Sequence, residues 1–319
     1  MWDDHSHSRI VAVTGSSGMI GRRVVDSLLA KGLRVRSFSR RPQLRTDVES
    51  VVGDIDDGPS LARLIADVDV VIHCAGEVHA LTRMYAVNVE GTARLARLAA
   101  SAGVKRFCHM SSAGVVGPAS AFVIDETTPC APFDTYERSK YEAERLLLDI
   151  AAETGMCLSI LRPTNVVDAL QPGLVGKLLS SGWRAPLWVG VKGGECAHLV
   201  HAMDVAAASV HLTLSEADLS GIYFVGCDED ERNTVAGIYK LLNRRQNQKS
   251  LVEYIHAPVA LSHLLRFLRR GQSLHGGARF SSAKLLRSGF VPPLGLDGAL
   301  NDICAAVGAV ESTELDESA

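Results

Sequence analysis

The stretch RIVAVTGSSGMIG, residues 9–21, decides the fold of this chain. A short β-branched run ends in Gly15, and a helical stretch follows over 19–31. Glycines at 15, 18 and 21 place a tight turn between the strand and the helix. Backbone N–H groups at such a helix N-terminus can hold a pyrophosphate, and glycines leave room for it to approach. The stretch predicts a dinucleotide-binding turn, with a simple strand-to-helix connection as the alternative.

The alternation of strand and helix signals continues through the first half of the chain. Further apolar runs that predict strands lie at 33–40, 50–55, 69–76, 105–112 and 157–166, with a returning strand at 221–227. Amphipathic helices separate most of these runs, which is typical of a parallel sheet covered on both faces. The fold class predicted is therefore α/β, a Rossmann-type doubly wound parallel sheet with a smaller C-terminal substrate lobe.

Beyond residue 166 the alternation becomes irregular, and this change suggests a domain division. We predict a dinucleotide-binding domain over 9–166, with a returning segment around 197–227. A substrate-binding lobe is expected from 167–196 and 228–308, with helices over 240–249, 263–270 and within 281–304. Residues 1–8 and 311–319 are expected to be flexible tails.

The composition excludes several classes of partner. The chain has 319 residues, a mass of 34.1 kDa and a formal net charge of −3, so no basic field favours nucleic acid or a membrane surface. Its seven cysteines are scattered and include no C-x-x-C, which is typical of a reducing compartment. No apolar run reaches the roughly 18 residues needed to span a bilayer. These features predict a cytoplasmic protein.

A metal site is not expected from the sequence. His198 and His201 form an H-x-x-H pair near a predicted strand end. Histidines in this pattern are more often structural than metal ligands, and no acid or cysteine is expected to complete a site. The prediction is therefore no metal.

The stretch YERSK, residues 136–140, opens another predicted helix. Asp134 is a plausible N-cap, and Glu137 completes a D-x-x-E capping box. Tyr136 and Lys140 lie four residues apart and so share one helix face. They are either ordinary surface residues or a proton-transfer pair, in which the lysine cation makes the phenol a better acid.

The end of the second strand indicates which cofactor is used. An enzyme for NAD usually has an acid there to bind the ribose 2′-hydroxyl, whereas an arginine accommodates the 2′-phosphate of NADP. This strand ends in Ser39, Arg40 and Arg41, and the next acid along the chain is Asp47. The pattern favours NADP over NAD, with solvated arginines as the structural alternative.

With these fragments placed, the chain resembles the NAD-dependent epimerase/dehydratase family of the extended short-chain dehydrogenase/reductase superfamily, whose members modify nucleotide sugars. The resemblance rests on TGSSGMIG (14–21), GDI (53–55), HCAG (73–76), NVEGT (88–92), MSSAGVVG (110–117), YERSK (136–140) and LRPTNV (161–166). Later fragments also fit, namely HAMDVAAA (201–208), GIYFVG (221–226) and SGFVPP (288–293). In this setting the catalytic interpretation of YERSK is favoured.

The resemblance implies a role for each matching position. The catalytic residues would be Ser112, Tyr136 and Lys140, with Ser112 preferred to Ser111. The cofactor would contact Gly15, Ser17, Gly18, Met19, Ile20, Gly21, Ser39, Arg40, Asp54, Ile55, Cys74, Ala75, Gly76, Asn88, Tyr136, Lys140 and Pro163. The substrate would contact Ser112, Asn165 and Arg279, and a nucleotide diphosphate could also meet Arg184, Lys192, Arg244 or Arg245.

Departures from the family pattern indicate which chemistry is used. Dehydratases of the family usually carry an acid just after the serine, but this chain has Ala113 and Gly114. A strand end suited to NADP favours net reduction, so the predicted function is NADP(H)-dependent reduction of a keto group, at C4, of a nucleotide-linked deoxysugar. The alternatives are a nucleotide-sugar 4-epimerase, a reductase or dehydrogenase of a non-sugar carbonyl such as a sterol or aromatic ketone, and a non-catalytic NADP-sensing regulator. A homodimer is a possible assembly.

Overall fold

The computed structural model describes residues 9–119, 121–245, 255–270 and 274–316. The predicted tail at 1–8, the last residues of the predicted tail at 311–319 and the end of the helix predicted over 240–249 lie outside these ranges. Two compact units are present. One comprises Met1–Val115, Phe133–Arg162 and Ala206–Tyr223, and the other comprises Val116–Pro132, Pro163–Val205 and Phe224–Ala319.

The described chain contains the following regular elements. The strands are β1 (Ile10–Thr14), β2 (Arg34–Ser39), β3 (Glu49–Val52), β4 (Val70–His73), β5 (Arg106–Met110), β6 (Val123–Ile124), β7 (Cys157–Pro163), β8 (Asn165–Val167), β9 (Leu199–His201), β10 (Gly221–Val225) and β11 (Arg279–Phe280). The helices are α1 (Met19–Ala30), α2 (Gly58–Ile65), α3 (Leu81–Tyr85), α4 (Thr92–Ser101), α5 (Thr135–Thr154), α6 (Gly173–Ser180), α7 (Arg184–Lys192), α8 (Ala202–Leu214), α9 (Val235–Arg245), α10 (Val259–Arg270), α11 (Ala283–Arg287) and α12 (Gly295–Asp316).

The main sheet has seven strands in the order β10-β7-β5-β4-β1-β2-β3. Neighbours from β3 to β7 pair in parallel, which confirms the predicted Rossmann-type fold. The strand order reverses direction between β1 and β4. In open α/β sheets a ligand binds beyond the carboxyl ends of the strands at such a switch point.

Alternate residues of β1 pack on opposite faces of the sheet, because successive side chains of a strand point to opposite sides. Ile10 and Ala12 belong to one apolar cluster, which also includes residues of α2, α4 and α5. Val11 and Val13 belong to a second cluster, together with residues of α1 and α8. A strand buried on both faces reads as a continuous apolar run, which is why β1 was recognisable.

The capping box predicted before YERSK is present at the start of α5. The Asp134 carboxylate accepts a hydrogen bond from the backbone N–H of Glu137 at 2.8 Å, and the Glu137 carboxylate accepts one from the backbone N–H of Asp134 at 3.3 Å. The helix ends at Gly155, whose φ of 71° suits a C-terminal cap. The N-terminal cap fixes the direction in which the first turn of α5 presents its side chains.

The helical region between β4 and β5 is regular only at its ends, in α3 and α4. Residues Ala86–Gly91 form a π-helical segment between α3 and α4. Such wide turns are rare and often occur at functional sites. Asn88 lies in this segment and is buried.

The second compact unit differs from the predicted pattern in two places. The sixth predicted strand divides, because β8 leaves the main sheet and pairs with β9 in a separate two-stranded sheet. The helical region predicted over 281–304 is also interrupted: β11 precedes it, and α11 ends at Arg287 before α12 begins at Gly295. Two prolines, 292 and 293, and Gly289 with a φ of 90° account for that break. No helix of the described residues is long and apolar enough to cross a membrane.

Candidate active site

The glycine turn after β1 has no space for a side chain at Gly15 or Gly21. Gly15 has a φ of 62°, and a Cβ atom there would lie 2.7 Å from the backbone nitrogen of Ala75. A Cβ atom at Gly21 would lie 2.2 Å from the Gly15 carbonyl oxygen. The turn closes with a hydrogen bond from the Gly18 N–H to the same oxygen at 2.9 Å. Only glycine fits at 15 and 21, and α1 starts directly behind the turn.

A cleft of about 210 Å³ opens over this turn, at the carboxyl ends of the strands. It brings together ten of the residues that the sequence predicted to bind cofactor: Gly15, Ser17, Gly18, Ser39, Arg40, Asp54, Ile55, Cys74, Ala75 and Gly76. Its lining also includes Phe38, Gly53, Glu77 and Val87, which were not predicted. Met19, Ile20 and Gly21 instead form the first turn of α1. The cleft lies at the switch point, and its tight glycine turn suits a dinucleotide.

Two carboxylates lie in the cleft beside the end of β2, although both are distant from that strand end in sequence. Asp54 and Glu77 line the same cleft as Arg40. Burial raises the pKa of Asp54, but the 2.8 Å ion pair with Arg83, a hydrogen bond from the Ile55 N–H and the charge of Arg40 together leave the pKa below its ordinary value. Backbone N–H groups of His79 and Ala80 lower the pKa of Glu77 in the same way. Both acids are therefore already engaged by neighbours, whereas Ser39 is nearly buried and donates to the Arg41 carbonyl at 2.6 Å.

Ser112 and Tyr136 face each other in the first compact unit. Ser112 follows the end of β5, and its hydroxyl accepts a hydrogen bond from the Gly114 N–H at 3.1 Å. Tyr136 lies on the first turn of α5, and its phenol is near enough to the Ser112 hydroxyl for that group to affect its pKa. Burial raises the pKa of Tyr136, and the Ser112 hydroxyl only partly offsets this. The Ser111 hydroxyl, in contrast, is buried and has no hydrogen-bond partner among the described residues.

Lys140 lies one turn further along α5 and is buried at 4% exposure. Its Nζ donates a hydrogen bond to the Met110 carbonyl oxygen at 2.9 Å. Burial lowers the pKa of Lys140 to about 8. The expectation that Lys140 pulls down the pKa of Tyr136 is not met here, because that pKa is raised and Lys140 is not among its causes. A Cβ atom at Gly76 would lie 3.1 Å from Nζ, so the ammonium borders the cleft floor.

Asn88 connects the loop after β4 to the start of α5. Its side-chain oxygen accepts from the Glu77 N–H at 2.7 Å, and its amide nitrogen donates to the Glu77 carbonyl at 2.9 Å. The same nitrogen donates to Ser139 Oγ at 2.9 Å, and that hydroxyl donates to the Tyr136 carbonyl at 2.8 Å. The sequence predicted a cofactor contact for Asn88, and the structure adds a positioning role.

Two buried histidines beneath the strand ends were not predicted. His73 contacts the hydroxyl of Thr14 at 2.6 Å and that of Thr92 at 2.9 Å, and burial lowers its pKa to about 3. The Thr14 hydroxyl in turn accepts from the Ala75 N–H at 3.2 Å, so His73 helps to fix the loop under the cleft. His109 stacks on His73 with ring centroids 5.4 Å apart. The sequence did not indicate His109, because a histidine within an apolar strand resembles an ordinary residue of the hydrophobic core.

The remaining predicted residues belong to the second compact unit. Asn165 is exposed, and its amide nitrogen donates to the Ala197 carbonyl at 2.8 Å. Arg279 Nη1 donates to the Asp228 carbonyl at 3.3 Å. Pro163 ends β7. The other basic residues are partly engaged: Arg184 and Lys192 lie over the rings of Trp183 and Trp188, and Arg245 donates to Asn301.

The premise that no acid or cysteine accompanies His198 was wrong. Cys196 and Asp228 lie beside it, although Asp228 is thirty positions away in sequence. His201 likewise contacts Asp302 at 3.0 Å. Only long-range packing brings Asp228 to His198, so the H-x-x-H spacing could not reveal it.

Comparison with known proteins identifies the family. The model of the NAD dependent epimerase/dehydratase family matches residues 11–226, and the chain belongs to that family. It is 35% identical over 172 residues to a 3-beta-hydroxysteroid dehydrogenase of Mycolicibacterium neoaurum, covering 49% of this chain and 47% of that protein. It is 33% identical over 175 residues to a UDP-glucose 4-epimerase of Vibrio cholerae, covering 51% and 53%. The chain thus spans about half the length of these relatives.

Solved structures agree on the fold. A short-chain dehydrogenase/reductase superfamily protein of Agrobacterium tumefaciens with bound NAD superposes with a TM-score of 0.74 at 24% identity. The match covers 97% of this chain and 100% of that one. This likeness concerns the fold, and the family to which the chain belongs is that of the NAD dependent epimerases and dehydratases.

Proposed function

We propose that this enzyme reduces the keto group at C4 of a nucleotide-linked deoxysugar and uses NADPH. The observation that carries the proposal is the grouping of three side chains: the Tyr136 phenol lies near the Ser112 hydroxyl, and the Lys140 ammonium is buried one turn further along the same helix, bonded to the Met110 carbonyl. Tyr136 and Lys140 are four residues apart on a helix whose start is fixed by a capping box, so the two groups have a defined spacing. The cofactor cleft lies over the adjacent strand ends.

The residues of the chain supply the proton in this reduction. The bound nicotinamide would deliver a hydride to the carbonyl carbon, which leaves a negative charge on the carbonyl oxygen. Tyr136 would donate its phenolic proton to that oxygen, and Ser112 would donate a hydrogen bond to it. The raised pKa of Tyr136 keeps the phenol protonated at neutral pH, as an acid in the reductive direction requires. Lys140, whose ammonium borders the cleft floor, would hold the ribose of the cofactor.

The NADP preference rests on the charges around the cleft. Arg40 is exposed and lines the cleft, whereas the carboxylates of Asp54 and Glu77 are held by their own hydrogen bonds. A 2′-phosphate would find a guanidinium and the neutral side chain of Ser39 at the end of β2. Cells keep NADP mostly reduced, so this preference also supports net reduction.

The surroundings of Ser112 argue against a dehydratase. The positions after it are Ala113 and Gly114, and neither can remove a proton. Glu137 lies close to Gly114, but its carboxylate accepts the N–H groups of Phe133 at 2.7 Å and Asp134 at 3.3 Å. A carboxylate used in a helix cap is poorly placed to serve as a base.

A second candidate is oxidation or reduction of a hydroxysteroid. It is favoured by the similarity to the dehydrogenase of Mycolicibacterium neoaurum, and it would use the same Ser112, Tyr136 and Lys140. The relative from Vibrio cholerae keeps a nucleotide-sugar 4-epimerase in consideration. A non-catalytic NADP sensor is disfavoured, because such regulators usually lose the tyrosine or the lysine and this chain has both.

A substrate panel distinguishes these functions. The purified enzyme is incubated with nucleotide 4-keto and 4-hydroxy sugars, and with 3-keto and 3-hydroxysteroids, each with NADPH and with NADH. Absorbance of the reduced cofactor follows turnover, and mass spectrometry identifies products. We expect NADPH consumption with a 4-keto sugar and a product heavier by two hydrogens. Turnover confined to steroids, epimer formation without net cofactor use, or a product lighter by one water would each overturn the proposal.

A further inference from the structure

Three side chains with different donor atoms converge in the second compact unit, and the proposed reaction assigns no role to any of the three. Asn165 and Arg279, which were predicted to contact the substrate, donate to the neighbouring carbonyls of Ala197 and Asp228. The Cys196 thiol, the His198 imidazole and the Asp228 carboxylate each offer a ligand atom, and these atoms lie within 4.8 Å of one another. Within the part of the chain that the structure describes, this is the one group of three His, Cys, Asp or Glu side chains close enough to share a metal ion. Sulfur, nitrogen and oxygen donors in one cluster suit a borderline-soft cation.

The backbone that carries Cys196 and His198 is held in place on both sides. Cys196 N–H donates to the Gly276 carbonyl at 2.7 Å, and the His198 carbonyl accepts from the Asn165 N–H at 2.7 Å. His198 has a φ of 53°, in the left-handed region that costs a non-glycine residue on the order of 1 kcal/mol. The surrounding hydrogen bonds maintain this conformation, and it directs the imidazole towards Asp228.

The carboxylate is oriented by neighbours of its own. Asp228 is 2% exposed, and its Oδ2 contacts His198 Nδ1 at 2.5 Å and accepts the Phe280 N–H at 2.9 Å. Its Oδ1 accepts from the Asn233 amide at 3.0 Å. The carbonyl of Asn233 also accepts from Cys196 Sγ at 3.3 Å. In metal sites, hydrogen-bond partners such as Asn233 fix the orientation of the residues that bind the metal. Asn233 contacts two of the three donors, Cys196 and Asp228.

The cluster is also accessible. Cys196 and His198 are partly exposed, while Asp228 closes the site from the interior. A cation could therefore enter from solvent and keep one position for water. Calcium and magnesium prefer sets of oxygen ligands, so a thiol and an imidazole exclude them as the best fit.

We propose that Cys196, His198 and Asp228 bind one divalent, thiophilic metal ion of the zinc class. The ion would join the segment before β9 to the segment after β10 and so stabilise the second compact unit. This proposal does not depend on the substrate or cofactor proposed above.

Only side-chain movements are needed to form such a site. Zinc ligands lie about 2.0–2.3 Å from the ion, so tetrahedral donors are roughly 3.3–3.8 Å apart. The distance of 2.5 Å between His198 Nδ1 and Asp228 Oδ2 would have to increase. The Cys196 thiol, which now lies within 4.8 Å of both other donor atoms, would have to come within about 3.8 Å of them. Rotation about side-chain bonds by an ångström or so provides both changes. The backbone hydrogen bonds can remain as they are.

The test uses the full-length protein stripped with a chelator and then titrated with Co²⁺ alone. A cobalt–thiolate site has a ligand-to-metal absorption band in the near ultraviolet and tetrahedral bands in the visible. We expect both to saturate at one equivalent per chain, and Zn²⁺ to displace the Co²⁺. Cys196→Ser should abolish the near-ultraviolet band and weaken Zn²⁺ binding by about 100-fold or more, since even a second-layer change costs 10–100-fold.

Cys304→Ser is the matched control, because Cys304 is also a partly exposed free thiol but lies in α12. It should leave the titration unchanged. If Cys196→Ser does not fold, alkylation of the unmodified protein gives the answer: Zn²⁺ should slow the reaction of Cys196 with iodoacetamide and not that of Cys304. Absence of the thiolate band at one equivalent, its persistence in Cys196→Ser, or equal alkylation with and without Zn²⁺ would overturn the proposal.

Discussion

Lys140 in the first compact unit and Asp228 in the second are both charged and both buried, but their surroundings differ. Lys140 Nζ donates to a backbone carbonyl, that of Met110, and burial lowers its pKa to about 8. Asp228 contacts the His198 imidazole. Burial lowers the pKa of His198, but the neighbouring Asp228 and Cys196 side chains together outweigh it and raise the pKa to about 9.

The difference shows that a buried charged side chain can serve two purposes, depending on what it is bonded to. A buried charge bonded to a neutral carbonyl is costly to the fold but available to a ligand or a reacting group. A buried charge matched by an opposite charge is satisfied within the fold, and breaking the pair leaves the other partner uncompensated. The Lys140 region should therefore govern activity at the expense of stability, whereas the Asp228 region should govern stability.

The largest effect expected is on turnover. Tyr136→Phe removes the phenolic proton but keeps the ring, so the rate should fall by about 10²–10⁴, which corresponds to roughly 3–5 kcal/mol of barrier. Cofactor affinity and melting temperature should change little. Steady-state kinetics with the best substrate of the panel, together with cofactor titration, measures both.

Tyr141→Phe is the matched control, because Tyr141 lies on the same helix one turn or so from the proposed acid. It should retain nearly full activity. Retention of more than about a tenth of the activity by Tyr136→Phe would show that the proton comes from another group, and the first half of the comparison would fail.

The next effect is expected on stability, in the second unit. Asp228→Asn leaves the His198 imidazole without its anionic partner, and breaking such buried pairs costs about 3–5 kcal/mol. Urea unfolding in the presence of a chelator should show this loss. Asp302→Asn is the control: it faces His201 at 3.0 Å, but its side chain is 42% exposed, so the cost should be at most about 1 kcal/mol. Equal costs for the two variants would contradict the role of burial.

Lys140→Met should have the opposite effect on stability and should raise the free energy of unfolding. Lowering the lysine pKa from 10.5 to about 8 implies a cost of about 3 kcal/mol for keeping the charge buried. That cost is fully present below pH 8 and disappears as pH rises towards 10.5, because the unfolded chain then holds the extra proton. After about 1–2 kcal/mol is subtracted for the lost bond to Met110, the variant should be about 1–2 kcal/mol more stable at pH 7.

The same variant should be nearly inactive and should bind the cofactor more weakly. Unfolding curves at pH 7 and pH 10 measure the stability difference, which should shrink or reverse at the higher pH. A variant that is less stable than the unmodified enzyme at pH 7 would show that Lys140 is satisfied within the fold, and the contrast with Asp228 would disappear.

The sequence predicted the first compact unit far better than the second. Apolar runs such as Val11 to Val13 identify buried parallel strands, and the order of strands and helices follows from their alternation. The glycine turn and the capping box are local, so their spacing alone was informative. These features placed most of the cleft lining correctly, because the carboxyl ends of parallel strands meet at one edge.

Contacts that depend on long-range packing could not be predicted. Asp228 and His198 are distant in sequence, and no local pattern relates them. The stacked His73 and His109 looked like strand interior. The pKa of Tyr136 was expected to fall because Lys140 is near in sequence, but the pKa depends on burial and on the nearby Ser112 hydroxyl, which only the folded chain defines.

The smallest effect expected concerns the cofactor, and it tests whether an exposed charge contributes to recognition. Arg40 lines the cleft but is exposed, so its bond to a 2′-phosphate would lie near the lower end of the roughly 1.5–3 kcal/mol typical of charged hydrogen bonds. Arg40→Ala should therefore reduce the preference for NADPH over NADH by about tenfold, mainly by weakening NADPH. Arg41→Ala, one position further from β2, should change this preference much less.

Calorimetric titration of the three proteins with both cofactors, at two salt concentrations, measures the preference. The Arg40 contribution should shrink at high salt because exposed charges are screened. Equal affinity of the unmodified enzyme for the two cofactors would remove the NADP assignment, and it would leave Lys140, buried against the strand ends, as the cation on which cofactor binding depends.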